Sequence, residues 1–250
     1  MIYSEFIILF FLAVVANWFS ALAGGGAGLI QLPLLIFMGL PFSLALATHK
    51  IATVALGLGA TGRHLREKNL PWKFILLVVV AGVPGVVAGV FFIIGVNDRH
   101  AEIVLGLLTL GLSLYSIFKP ELGQKIEHKH RDTFGIAIAA LVLVLLGFIN
   151  GALSAGSGLF VTLWLVYWLG FDYQKAVTIT LIAVGLVWNL SGAISMGAIA
   201  EVKWSWLPAL ILGSLVGGYL GAHTSIKAGN KWIKRVYEVV TMLVGLKLLF

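Results

Sequence analysis

The chain has 250 residues, of which 60% are apolar and only 11% charged, with a mean hydropathy of +1.04. A soluble domain carries roughly a quarter charged residues, so this chain cannot clothe a globular surface; soluble enzymes, nucleic-acid binders and disordered chains are excluded, and a polytopic membrane protein remains. The net charge of +7 sits on Lys and Arg in short loops, as the positive-inside rule expects, and with no Cys there is no disulfide framework, thiolate metal site or sulfur redox chemistry.

The segment Met1 to Phe6 holds Glu5 but neither Lys nor Arg, unlike a secretory signal, so the first apolar run reads as a retained membrane segment. Between Glu5 and Lys50 lie 44 residues without Asp, Glu, Lys or Arg, and between Asp132 and Asp172 lie 39. Each run is about twice a ~20-residue span, so each folds back on itself at a glycine-rich break. The predicted helices are 5–23, 27–40, 43–62, 72–95 and 100–118, then 133–153, 157–170, 174–196, 204–224 and 231–250. This is an all-α polytopic membrane protein of about 8–10 hydrophobic segments. Segments 27–40 and 157–170 give only about 21 Å of helix each, short for a crossing, and read as half-helices. No long β-alternation suggests a barrel.

The two halves resemble each other at an offset of about 130 residues. Gly26-Ala27-Gly28-Leu29 matches Gly156-Ser157-Gly158-Leu159, Thr48 matches Thr178, and Trp72, Gly85 and Gly89 match Trp204, Gly217 and Gly221. The chain therefore divides into a first transmembrane repeat (1–118), a polar linker (119–132) and a second repeat (133–250). Basic residues crowd the loop 63–73, the linker and the segment 225–235, whereas 96–99 and 197–203 are poor in them. The positive-inside rule puts the three basic segments in the cytoplasm, gives matched loops opposite sides, and so makes the repeats inverted with both termini outside. Inverted repeats supply the two similar minima that alternating access needs. Trp72, Trp204, Trp206 and Trp232 fall near predicted span ends, as an aromatic belt would place them, while Trp18, Trp164, Trp168 and Trp188 lie deeper, lining a cavity or facing lipid.

Polar residues inside the apolar runs mark the candidate site. The first break holds Asn17, Ser20, Gly24, Gly25, Gly26, Gly28 and Gln31; the second holds Asn150, Ser154, Gly156, Ser157 and Gly158. Glycine clusters unwind a helix, and the bared N–H groups at a half-helix N-terminus attract anions. In an inverted repeat the two breaks face each other near the midplane. Thr48, His49 and Lys50 begin the next helix. Lys50 is the one Lys or Arg outside loops and chain ends: either it meets an anion or it snorkels to the interface. Thr178 and Thr180 take the matching place without the charge, and Asn189 either lines the site or bonds another helix. His128 and His130 in the linker read as solvated loop rather than a metal site. No P-loop, HExxH or GxSxG occurs, so no enzyme chemistry, cofactor or bound metal is expected.

The stretches Asn17-Trp18-Phe19-Ser20-Ala21-Leu22-Ala23-Gly24-Gly25-Gly26-Ala27-Gly28 and Asn150-Gly151-Ala152-Leu153-Ser154-Ala155-Gly156-Ser157-Gly158 resemble the TauE/SafE sulfite-exporter family. Ala47-Thr48-His49-Lys50, followed by a basic loop and Trp72, shares the resemblance, which spans the whole chain. In the nearest branch the third motif more often reads Ala-Thr-Asn-Lys, so His49 stands at an Asn position. The resemblance implies export of a small sulfur-containing anion such as sulfite, sulfoacetate or another organosulfonate.

The function expected is thus a secondary transporter exporting a small sulfur-containing oxyanion across the plasma membrane. The alternatives are a passive anion channel or uniporter, and a non-transporting membrane enzyme or scaffold. The partners expected are the small anion and membrane lipid, with no nucleic acid; a homo-oligomer is admitted.

Overall fold

The computed structural model describes residues 2–67, 69–93, 103, 107, 110–111, 113–154 and 156–249. The described residues form helices: α1 (Ile2–Ala23), α2 (Ala27–Phe37), α3 (Phe42–His64), α4 (Trp72–Phe92), α5 (Thr133–Leu153), α6 (Ser157–Tyr167), α7 (Tyr173–Gly197), α8 (Leu207–Ala228) and α9 (Asn230–Leu249). Among them α1, α3, α4, α5, α7 and α8 are long and apolar enough to cross a bilayer. Much of the predicted helix 100–118, the loop 96–99 and Lys68 lie outside the described residues.

The half-helices are shorter than the sequence suggested. At 11 residues each, α2 and α6 rise about 16 Å. They stop early because Gly39 and Gly170 take left-handed backbone at φ +96° and +67°, which ends a helix at little cost for glycine. α8 begins at Leu207 rather than 204, after a turn, and runs on to Gly229 at φ +77°. α7 is not uniform. Its middle, Leu181–Trp188, is a π-helix, whereas α3, its counterpart in the first half, is α-helical throughout. Trp206 stands at the start of α8 but is buried, while Trp72, Trp204 and Trp232 are exposed.

Glycine sets the helix pairing. Lipid is as apolar as leucine, so helices in a bilayer associate by close van der Waals fit rather than by hydrophobic expulsion. Gly85 and Gly89 of α4 seat against the backbone of Val144 and Phe148 in α5, and Gly217 and Gly221 of α8 against Val14 and Trp18 in α1. The second interface repeats the first at an offset of about 130 residues. Both pairs run parallel. α3 and α7 run antiparallel: Thr48 accepts from Lys203 N (2.9 Å) at one end, His64 Nδ1 meets Thr178 Oγ1 (3.2 Å) at the other, and Gly57 abuts Gly185 between them. Trp188, fully buried, fills the notch left by Gly82 and donates its indole N–H to Val78 O (3.0 Å).

The basic segments gather at one end of this bundle. The linker is laced to the α6–α7 turn by Glu127 N to Gly170 O (2.7 Å) and Tyr173 N to Gly123 O (2.9 Å). It meets the start of α9 through Asn230 Nδ2 to Gln124 O (3.1 Å). His130 stacks on Trp168 (4.0 Å) and meets Trp168 O, and Arg131 lies over Phe74 and Phe171. No group of three or more potential metal-binding side chains occurs among the described residues. Buried Lys234 of α9 pairs with Glu238 (3.0 Å) and donates to Lys119 O (3.0 Å), while Tyr237 Oη donates to Leu159 O in the first turn of α6 (3.3 Å).

Candidate functional site

Each long first helix of a repeat breaks at small residues and sends a half-helix back. After Ala23 the backbone passes through Gly24, Gly25 and Gly26 at φ +88°, +139° and +100°, angles open to glycine without Cβ strain. Gly25 N donates to Ser20 O (2.7 Å), and α2 then runs back along α1, with Asn17 Nδ2 donating to Gln31 Oε1 (3.2 Å) and Ser214 Oγ (3.0 Å). The second break uses Ser154 (φ +57°) and Gly156 (φ +73°). Ser154 N closes α5 on Asn150 O (2.9 Å), and Asn150 Nδ2 donates to Ser157 Oγ (2.8 Å) at the start of α6.

The breaks touch. A Cβ on Gly25 would lie 2.5 Å from Gly158 Cα, and one on Gly158 2.8 Å from Gly25 Cα. Only hydrogen at both positions lets the two half-helices meet start to start. Thr162 Oγ1 joins the halves, 2.9 Å from Gly24 O and 3.0 Å from Thr180 Oγ1. Neither Gly26 nor Gly156 supplies a side-chain cap, so the first-turn N–H groups, which lack helical partners, stay available to a guest. Both helix dipoles present their positive ends at this point.

A cavity of about 30 Å³ lies at the junction, enough for one or two waters. Ser20, Gly24, Gly25, Gly26 and Gly28 line it from the first repeat, and Asn150, Ser154, Ser157, Gly158 and Asn189 from the second, with His49 on α3. Its described lining contains no carboxylate. His49 is buried and its Nδ1 has no partner among the described residues, nor does Asn150 Oδ1. A buried orphan of this kind costs on the order of 1–3 kcal/mol unless something joins it, and both orphans belong to lining residues.

The remaining candidates stand beside the cavity. Asn17 and Gln31 form their own buried cluster with Ser214. Gly156 caps α6 just behind the lining. Thr48 holds the chain after α7 through Lys203 N, and Thr178 meets His64. Lys50 is fully buried and neither snorkels nor lines the cavity: Nζ donates to Asn150 O (2.8 Å), at the negative end of α5. Asn189 donates to Gly185 O (3.1 Å) in its own helix while lining the cavity. Sequence reasoning left out Thr53, Leu56 and the π-segment residues Leu181, Val184 and Gly185, and of the pair Thr178 and Thr180 only Thr180 lines the cavity. A π-turn inside a helix often marks a functional site, but no sequence signal announced it.

Six membrane-length helices among the described residues, with two half-helices returning between them, fit a multi-pass membrane protein, and the family match makes it a membrane transporter rather than an enzyme. The sulfite exporter TauE/SafE family model matches residues 9–248, and the chain belongs to that family. It is 28% identical over 247 residues to a probable membrane transporter protein of Haemophilus influenzae, covering 97% of this chain and 94% of that one. It is 26% identical to the probable membrane transporter protein YfcA of Escherichia coli K12 (97% and 89% covered) and 24% identical to YunE of Bacillus subtilis (98% and 98%). No solved structure matches the chain.

Proposed function

We propose that this transporter exports a small sulfur-containing oxyanion, such as sulfite, sulfoacetate or another organosulfonate, by alternating access of two inverted repeats. The observation that carries the reading is the meeting of two uncapped half-helix starts at a cavity with no carboxylate in its described lining. Such a junction offers backbone N–H donors and two positive dipole ends to an anion without a cluster of Lys or Arg. The family description names sulfite export, and the antiparallel packing of α3 on α7 supports a pseudo-two-fold between the repeats. At about 30 Å³ the cavity holds less than an oxyanion, so in this reading binding goes with a rearrangement of the repeats around it. That weighs against an open channel, the other reading. An inside-negative potential helps an anion out by ~2.3 kcal/mol per charge per 100 mV, so export needs no coupling ion.

Sulfite and sulfoacetate uptake into proteoliposomes containing the purified chain tests this. Saturable flux is expected, abolished in His49→Leu, which takes the imidazole from the cavity, and kept in His49→Asn, which retains a polar donor. Absent flux for every sulfur oxyanion tried, or unitary currents in a planar bilayer, would overturn the reading.

A further inference from the structure

We propose that the groove along α6, together with the basic pocket at its end, binds one anionic phospholipid. The pocket, about 510 Å³, lies under the linker and takes Lys119, Lys125, Lys129 and His130 into its lining. The groove, about 360 Å³, runs between α5 and α6 over Val142, Leu146, Phe160, Leu163 and Trp164. Tyr115 and Tyr167 line both, their rings edge to face at 5.7 Å, so the polar pocket and the apolar groove adjoin across this pair, close enough for one lipid to reach over it.

The half-helix explains why the groove exists. α6 rises only about 16 Å, close to one leaflet of a ~30 Å hydrocarbon core, so an acyl chain of the same leaflet matches its length. The charge balance selects the headgroup. Lys129 pairs with Glu127, while Lys119 and Lys125 make no ion pair among the described residues, and Glu121 is the other acid of the lining. Three ammonium groups against two carboxylates leave one positive charge, the complement of a single phosphodiester. Trp164 of the groove stacks on Trp168 (5.1 Å), which stacks on His130 of the pocket (4.0 Å), and tryptophan favours the level of lipid headgroups. Basic pockets between membrane helices take anionic lipid headgroups. Because α6 also opens the central cavity with Ser157 and Gly158, a lipid here would brace the helix that shapes the transport site. The proposal stands on this surface alone and does not depend on which anion is carried.

The full chain, delipidated in detergent, would be titrated with phosphatidylglycerol, phosphatidylcholine and, as a water-soluble arm, glycerol 1-phosphate, with bound lipid counted by native mass spectrometry. One phosphatidylglycerol per chain is expected, held at least fivefold more tightly than phosphatidylcholine and not displaced by glycerol 1-phosphate. Each basic residue near an anionic headgroup contributes about fivefold in affinity, so Lys119→Gln with Lys125→Gln should bring the two lipids close to parity. Leu146→Trp, filling the groove, should release both. Equal retention of the two lipids by the unaltered chain, an undiminished preference in the double variant, or displacement by glycerol 1-phosphate would overturn the proposal. Both lysines are exposed, so the double variant leaves the core intact and decides the matter even if Leu146→Trp does not fold.

Discussion

Lys50 is the residue whose placement most constrains the chemistry. A fully buried ammonium is costly, and this one has no carboxylate partner among the described residues, only the Asn150 carbonyl at 2.8 Å. An anion at the half-helix junction would supply the missing countercharge through Asn150, whose side chain lines the cavity. Two opposite unit charges about 8 Å apart at an effective dielectric of about 20 attract by about 2 kcal/mol, the order of effect open to a cation one residue behind the lining. Lys50→Met should therefore weaken sulfite binding to the purified protein by at least tenfold, measured by calorimetry; unchanged affinity would confine Lys50 to a structural role. The charge itself was legible in the sequence as the one cation deep in an apolar run, but its partner was not, because the partner is a backbone carbonyl 100 positions away. Thr178 and Thr180 show the same boundary at finer grain. Two positions differ by about 200° around a helix axis, and nothing local to the sequence fixes the rotation that turns Thr180 to the cavity and Thr178 to His64.

Pairs of helices here are cut to fit by glycine, and the fit predicts opposite outcomes on one helix. A Cβ on Gly57 would collide with the Gly185 carbonyl of α7, whereas one on Gly62, a turn and a half further along α3, meets nothing within 4 Å. Gly57→Ala should destabilise by about 1–3 kcal/mol, the usual penalty of overpacking. Gly62→Ala should stabilise by roughly 0.5–1 kcal/mol through helix propensity alone. Thermal unfolding in detergent would read the two shifts, and a like sign for both would discredit the α3–α7 contact. The glycine spacing of α4 and α8 was readable beforehand as close-packing surface, since Gly85, Gly89, Gly217 and Gly221 recur at i, i+4; that they seat α5 and α1 was not, because spacing marks a face and not its partner. The breaks at 24–26 and 154–156 were equally legible from glycine and charge-free length. The π-segment of α7 was hidden, since Leu181–Trp188 is an unbroken apolar stretch and one extra residue per turn leaves no compositional trace.

At the scale of the whole molecule, relative helix direction and loop charge can be set against each other. α3 lies antiparallel to α7, and the turn after α3 shares one end of the bundle with the linker and the start of α9 through the contacts of Thr178, Tyr173 and Asn230. That end holds Arg63, Arg66, Lys125, Lys129, Lys231 and Lys234, and the positive-inside rule assigns it to the cytoplasm. The turn between α7 and α8 must then face outward, since α7 spans the bundle between them. The chain has no native Cys, so a single introduced thiol reports its side without background. Ile126 in the linker and Ile199 after α7 are both exposed. In intact cells a membrane-impermeant maleimide should label the Ile199→Cys variant and spare Ile126→Cys until the cells are opened. The reverse pattern would invert the molecule and make it an importer-facing arrangement with its basic end outside. Labelling of both variants in intact cells would be worse for the account: the two segments would share a side, α7 would not cross, and the opposed entry of the two half-helices, on which an alternating cavity depends, would be lost.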